Sequence, residues 1–95
     1  MRKRRAEVDA IGPRLDEAIV AGVRALRSGA TACPGVLGEQ VLRAHGLEVD
    51  ARDALLLLRE RLHALRDAGR VRFLQKGAVV PLGKRDLRGP FRLGS

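Results

Sequence analysis

At Gly69 the apolar residues of this chain change their spacing from 3.6 to 2. Before that point, three stretches carry apolar side chains three and four residues apart, as helices with one buried face do. After it, "RVRFLQ" (residues 70–75) sets Val71 and Phe73 on one side and Arg70, Arg72 and Leu74 on the other, the alternation of a strand. The chain must therefore close a small helical core with a β-element at its C-terminal end.

The first helix is predicted from Pro13, well suited to an opening turn, through "PRLDEAIVAGVRALRSG" to a stop at Gly29. Leu15, Ile19, Gly22, Val23 and Leu26 make its apolar face. A second helix, from Pro34 to Gly46 after an extended "ATAC", would bury Leu37, Val41 and Leu42. Gly35 and Gly38 work against it, each by about 1 kcal/mol relative to Ala. The third, residues 51–68, has Asp50 as N-cap with Asp53 three residues on, a core face of Ala54, Leu55, Leu58, Leu62 and Leu65, and Gly69 as its stop. On its far side Arg52, Arg59 and Arg66 recur every seven residues, with His63 close by, and Asp53, Glu60 and Asp67 run beside them. Leu56 falls on this polar side.

Lys76-Gly77 reads as a tight turn, "AVV" (78–80) resumes the strand and Pro81 interrupts it. "LGKRDLRG" is a polar, basic loop and "PFRLG" a last short strand. The partner of residues 71–75 is 78–80, 90–93 or both. Helix, extended piece, helix, helix and hairpin is the order of a winged helix-turn-helix, mostly α with a small antiparallel β-hairpin and a three-helix core. Residues 1–12 read as a flexible basic arm and 13–95 as one winged-helix domain.

Charge narrows the function. The net charge is +8, and only three of the 19 basic residues are Lys. An Arg bias also follows from GC-rich coding DNA, so placement says more than the sum. Residues 1–14 carry +3, 15–48 carry −1, 49–69 carry 0 and 70–95 carry +6. A basic end beside a neutral helical middle suits a polyanion.

Other classes are disfavoured. No run nears the roughly 18–20 apolar residues of a membrane span, and no apolar region follows "MRKRR" as a signal peptide requires. A cytoplasmic protein is expected. Cys33 is alone, so no internal disulfide or multi-cysteine zinc site is available, and His45 and His63 have no carboxylate cluster. No metal or cofactor is expected. Cys33 starts a helix, where thiols are activated, but His45 lies twelve residues on, about 18 Å along the same helix. It is expected to be buried and inert. "GAVVPLGKR" (77–85) imitates a phosphate-binding loop, yet has five residues between its glycines and Arg85 where Ser or Thr is needed. "CPGVLGE" lacks the preceding strand of a dinucleotide fingerprint. With no paired carboxylates and no nucleophile–base set, an enzyme is not expected.

Double-stranded DNA is the favoured partner. Helix 51–68 would enter the major groove with Arg52 and Arg59 at guanine edges, while Arg66, further along, would meet phosphate or nothing. Lys76, Lys84, Arg85, Arg88 and Arg92 on the wing, and Arg72 at its base, would supply phosphate contacts. Phe73 and Phe91 are assigned to the core, which disfavours single-strand stacking. The competing reading is a protein-interaction module or homodimer. It rests on Leu56, with the acidic stripe neutralising the helix, and needs Leu56, Leu74 and Leu82 on one exposed surface.

"GATACP" (29–34), "LRDAGRV" (65–71), "QKG" (75–77) and "GPFRL" (89–93) occur in the order seen in a family of small bacterial domains of unknown function, which the chain resembles over roughly residues 15–93. Gly35-Val36 stands where that family usually has Ser-Glu, and no Trp enters the third helix. The resemblance implies a winged-helix fold and carries no activity.

Overall fold

The computed structural model describes residues 2–83, 87 and 89–95, with the side chains of residues 2 and 3 left aside. Among these residues the order is α1 (Arg2–Ala10), α2 (Gly12–Arg24), α3 (Pro34–Ala44), α4 (Ala51–Asp67), β1 (Arg72–Gln75), β2 (Ala78–Val79) and β3 (Arg92–Gly94). The protein is mostly helical with a small three-stranded antiparallel sheet at its C-terminal end, an architecture compatible with a winged helix-turn-helix.

The residues expected to form a flexible arm instead form α1, so the helical body has four helices where three were expected. Val8 is fully buried in the core. Arg4 donates to the Glu48 carbonyl at 2.7 Å, and Arg5 to the carbonyls of Leu56 and Leu57 at 3.3 and 3.4 Å. One apolar anchor and these hydrogen bonds turn a weakly patterned basic segment into a docked helix.

Leu15, Ile19, Val20 and Val23 are the buried face of α2. The helix ends at Arg24, five residues short of Gly29. The chain is drawn away because Ala32 exchanges two 2.8 Å hydrogen bonds with Leu93 and so joins the sheet beyond β3. The ends of helix α4 are those its sequence predicts. The Asp53 N–H donates to Asp50 Oδ1 at 2.8 Å. At its other end the N–H groups of Gly69 and Arg70 donate to the carbonyls of Arg66 and Leu65, a Schellman closure with Gly69 at φ 75°.

Helices α3 and α4 make the closest helix contact. A β-carbon at Gly35 would stand 2.8 Å from the Ala51 carbonyl oxygen, and one at Gly38 3.0 Å from Leu58 Cδ1. The two glycines that weaken α3 locally are what let α4 lie against it.

In the sheet β1 is central, with β2 on one edge and β3 on the other, so residues 71–75 have both candidate partners. Lys76 (φ 51°) and Gly77 (φ 81°) form the two-residue turn to β2 with the left-handed conformation of a type I′ hairpin. The described residues between β1 and β3, 76–83, 87 and 89–91, make up the wing. Phe73 and Leu93, paired across β1 and β3, are fully buried beneath the helices, and Phe91 stacks on Phe73 at 4.5 Å between ring centroids. Both phenylalanines belong to the core.

Candidate nucleic-acid interface

The face of α4 that looked uniformly polar is divided by the fold. Arg52 and Arg59 are exposed, but Arg66 is 1% exposed and His63 2%. Arg66 is therefore not at a phosphate-contacting surface. Its guanidinium lies over the Phe73 ring, 4.7 Å from the centroid, and His63 meets the same ring edge-on at 5.3 Å. Towards the end of α4, His63 and Arg66 face Phe73 of the sheet rather than solvent.

Near the start of α4 a hollow of about 450 Å³ opens between α3, α4 and the wing. Pro34, Gly35, Arg52, Leu55, Arg59 and Leu87 are among the residues around it. A second hollow, about 900 Å³, lies along the outer side of the sheet, bordered by Thr31, Leu74, Lys76 and Arg92 among others. Cys33, Gly89, Pro90 and Phe91 line both, so the two form one groove. Among the described residues the groove carries four cationic side chains, Arg52, Arg59, Lys76 and Arg92, and no carboxylate. Phase along the strands explains the far end. Leu74 pairs with Arg92 and Arg72 with Gly94, so Arg72, Leu74 and Arg92 share the outer sheet face.

Acidic residues are paired on other surfaces. Asp16 of α2 accepts two hydrogen bonds from Arg61 at 2.8 and 3.1 Å, and Glu17 accepts two from Arg70 at the same distances. Glu39 pairs with Arg43, four residues on. The hydrogen bonds from Arg70, reinforced by its charge, hold the Glu17 carboxyl below its ordinary value, and Glu17 raises Arg70 in turn. Among the described residues Arg52, Arg59, Arg72 and Lys76 have no ion-pair partner.

Five of the eight residues expected at the interface are among the described residues. Arg52 and Arg59 flank the α3–α4 hollow. Lys76 is exposed at the hairpin turn and Arg72 on the outer sheet face. Arg92 is exposed but engaged within the chain: its Nε donates to Thr31 Oγ1 at 2.6 Å and its Nη2 to the Thr31 carbonyl at 3.1 Å. Lys84, Arg85 and Arg88 lie outside the described residues. Cys33, expected to be buried, is exposed and lines both hollows. It is the N-cap residue of α3, a half-in position whose side chain the groove leaves uncovered. Nothing in its sequence surroundings distinguishes that outcome from burial, because the groove is made by the wing packing 55 residues further on.

The segments "ACP" (32–34) and "GPFRL" (89–93) meet where the two hollows join. The chain belongs to DUF3253, a family of proteins of unknown function. The match spans residues 13–95, from the start of α2 through the whole sheet, and leaves out α1. No curated protein matches the chain. Among the described residues no helix is long and apolar enough to cross a membrane.

Proposed function

We propose that this protein is a non-catalytic, cytoplasmic, bacterial winged-helix protein that binds double-stranded DNA and acts as a regulator. The observation that supports this reading is the segregation of charge. Arg52, Arg59, Lys76 and Arg92 line one groove with no carboxylate among the described residues, while the acids of α2 are tied to Arg61 and Arg70 elsewhere. Among the described residues, every charged side chain that a phosphate backbone laid along this groove would meet is cationic, and the nearby start of α3 adds its positive dipole end.

In this reading α4 enters the major groove by its first half. Arg52 and Arg59 have the bidentate geometry that suits guanine, and Arg66 takes no part. Lys76, Arg72 and Arg92, together with Lys84, Arg85 and Arg88 of the wing, follow the phosphates. Arg92 must share its donors between Thr31 and any phosphate, so it contributes less than Lys76.

The test is binding of a labelled mixed-sequence duplex across a salt series, read by fluorescence anisotropy. Changing Lys84, Arg85 and Arg88 together to Ala is expected to flatten the logarithmic salt slope by up to about 3, since each lost phosphate contact removes about 0.9. Changing Arg52 and Arg59 to Gln is expected to erode sequence discrimination by about 1–3 kcal/mol per lost contact. Absence of binding at low salt overturns the reading and favours a protein-interaction or dimerisation module. The observation for that second reading is Leu56, 48% exposed on α4. Its proposed companions do not gather round it. Leu74 is half-buried, and Leu82 adjoins Gly83, whose N–H donates to Asp67 at the other end of α4, about 16 Å further along the helix.

A further inference from the structure

We propose that the hollow between α3, α4 and the wing is a binding site for a small organic anion with a flat apolar body, and that its occupation excludes DNA. The binding half stands on geometry alone, whereas the exclusion of duplex rests on the DNA reading above.

Size, lining and charge point the same way. The hollow, about 450 Å³, falls in the range of small-molecule sites. Its walls are apolar, from Leu55 of α4, Leu87 and Pro90 of the wing, and the buried Phe91. Duplex DNA offers phosphates and base edges, which have no use for such a floor. An exposed cationic rim with an apolar floor selects a ligand that has both a charge and a hydrophobic face.

The charge comes from Arg52 and Arg59, about two helical turns apart on α4, neither paired with an acid among the described residues. Guanidinium groups bind carboxylates through two parallel hydrogen bonds, which fixes an aromatic or alkyl carboxylate with its body over the floor. Gly35 lines the same wall, and the Ala51 carbonyl already fills the space where its β-carbon would stand, so the wall is formed by close-packed backbone and is not free to collapse. Because Arg52 and Arg59 are also the residues proposed to read base edges, a bound carboxylate and a duplex compete for the same donors.

The experiment is an NMR titration of the full chain with 1-naphthoate, using 1-naphthalenemethanol as the uncharged counterpart. The protein with Arg52 and Arg59 both changed to Gln serves as the variant. Both side chains are exposed, and a thermal melt checks that the variant folds. Saturable shifts of the amides of Cys33, Ala51, Leu55 and Phe91 are expected, with a Kd of order 1 mM or tighter for a ligand of this size. The variant should bind naphthoate at least about tenfold more weakly while its response to the alcohol is unchanged. Absence of saturable shifts, or naphthoate binding indifferent to the two arginines, overturns the site. A separate competition against labelled duplex isolates the second half. Duplex binding without naphthoate binding sinks this proposal and leaves the DNA reading standing. Naphthoate binding without any duplex binding sinks the DNA reading and leaves the anion site. Both ligands bound at once to the same protein overturns the exclusion.

Discussion

The Arg66 guanidinium lies 4.7 Å from the centre of the Phe73 ring, inside the core and 1% exposed. Its Nε reaches Asp67 at 3.2 Å, but Nη1 and Nη2 meet no hydrogen-bond acceptor among the described residues. The ring contributes at most about 2 kcal/mol of cation–π attraction, and desolvating a guanidinium costs several. Replacing Arg66 by Met keeps the length and the contact with the ring. It is expected to raise stability by about 1–2 kcal/mol, whereas Arg66→Ala, which leaves a cavity, lowers it by about 2–4 kcal/mol. Urea denaturation of both variants checks the pair. A loss of more than 2 kcal/mol in the Met variant would show that the charge itself supports the fold.

Gly35 and Gly38 should respond differently to the same substitution. Alanine improves helix propensity by about 1 kcal/mol at either position. At Gly35 the new methyl meets the Ala51 carbonyl, which is backbone and can yield only if α4 shifts. At Gly38 it meets Leu58 Cδ1, the far end of a flexible side chain. Gly35→Ala is expected to destabilise by about 1–3 kcal/mol and Gly38→Ala to be close to neutral. Thermal melts of the two variants decide this, and equal effects would contradict the packing described for α3 and α4.

The Glu17–Arg70 pair gives a pH signature. Hydrogen bonds from Arg70, and then its charge, depress the folded-state Glu17 carboxyl below 4.5. A carboxyl lowered on folding contributes stability above its unfolded value, and the contribution disappears as pH falls through the folded value. The protein should therefore melt higher than Glu17→Gln at pH 6, with the two curves converging as pH falls through the depressed folded value. Both groups are well exposed, so added salt should shrink the difference. A gap that does not shrink on acidification would contradict the pairing.

Val8 tests whether α1 belongs to the folded body. It is the fully buried apolar residue of that helix. Val8→Ala should cost about 1–2 kcal/mol, and Val8→Asp should release the segment, read as loss of amide-exchange protection over residues 4–10. An unchanged melting temperature in Val8→Ala would restore the picture of a basic arm.

These residues also mark where the sequence was legible. The Asp50 cap, the Lys76-Gly77 turn and most of the apolar faces of α2, α3 and α4 follow from local chemistry and appear in the structure. So does the change of period at Gly69, which places the sheet. Leu26, however, falls beyond the end of α2, and Leu57, outside the expected face of α4, is buried. Helix α1 was not legible because a nine-residue segment with one deeply buried anchor carries almost no periodic signal. Arg66 was misassigned because a seven-residue repeat of arginines describes one side of a helix but not what packs on each turn of it. Only the path of β1, which brings Phe73 beneath the last turn of α4, separates Arg66 from Arg52 and Arg59. The exposure of Cys33 and the grouping of Arg52, Arg59, Lys76 and Arg92 depend likewise on where the wing returns. Sequence identified those four as basic positions of interest, but could not bring them to one groove.

Cys33 offers the most direct measurement of that groove, since it is the only cysteine in the chain and lines both of its halves. The rate of its reaction with N-ethylmaleimide, an uncharged reagent, should be followed at low salt with and without saturating duplex DNA. If duplex occupies the groove, modification slows by about tenfold or more and recovers as salt releases the DNA. A rate that duplex leaves unchanged would contradict the assignment of this groove as the DNA-binding face.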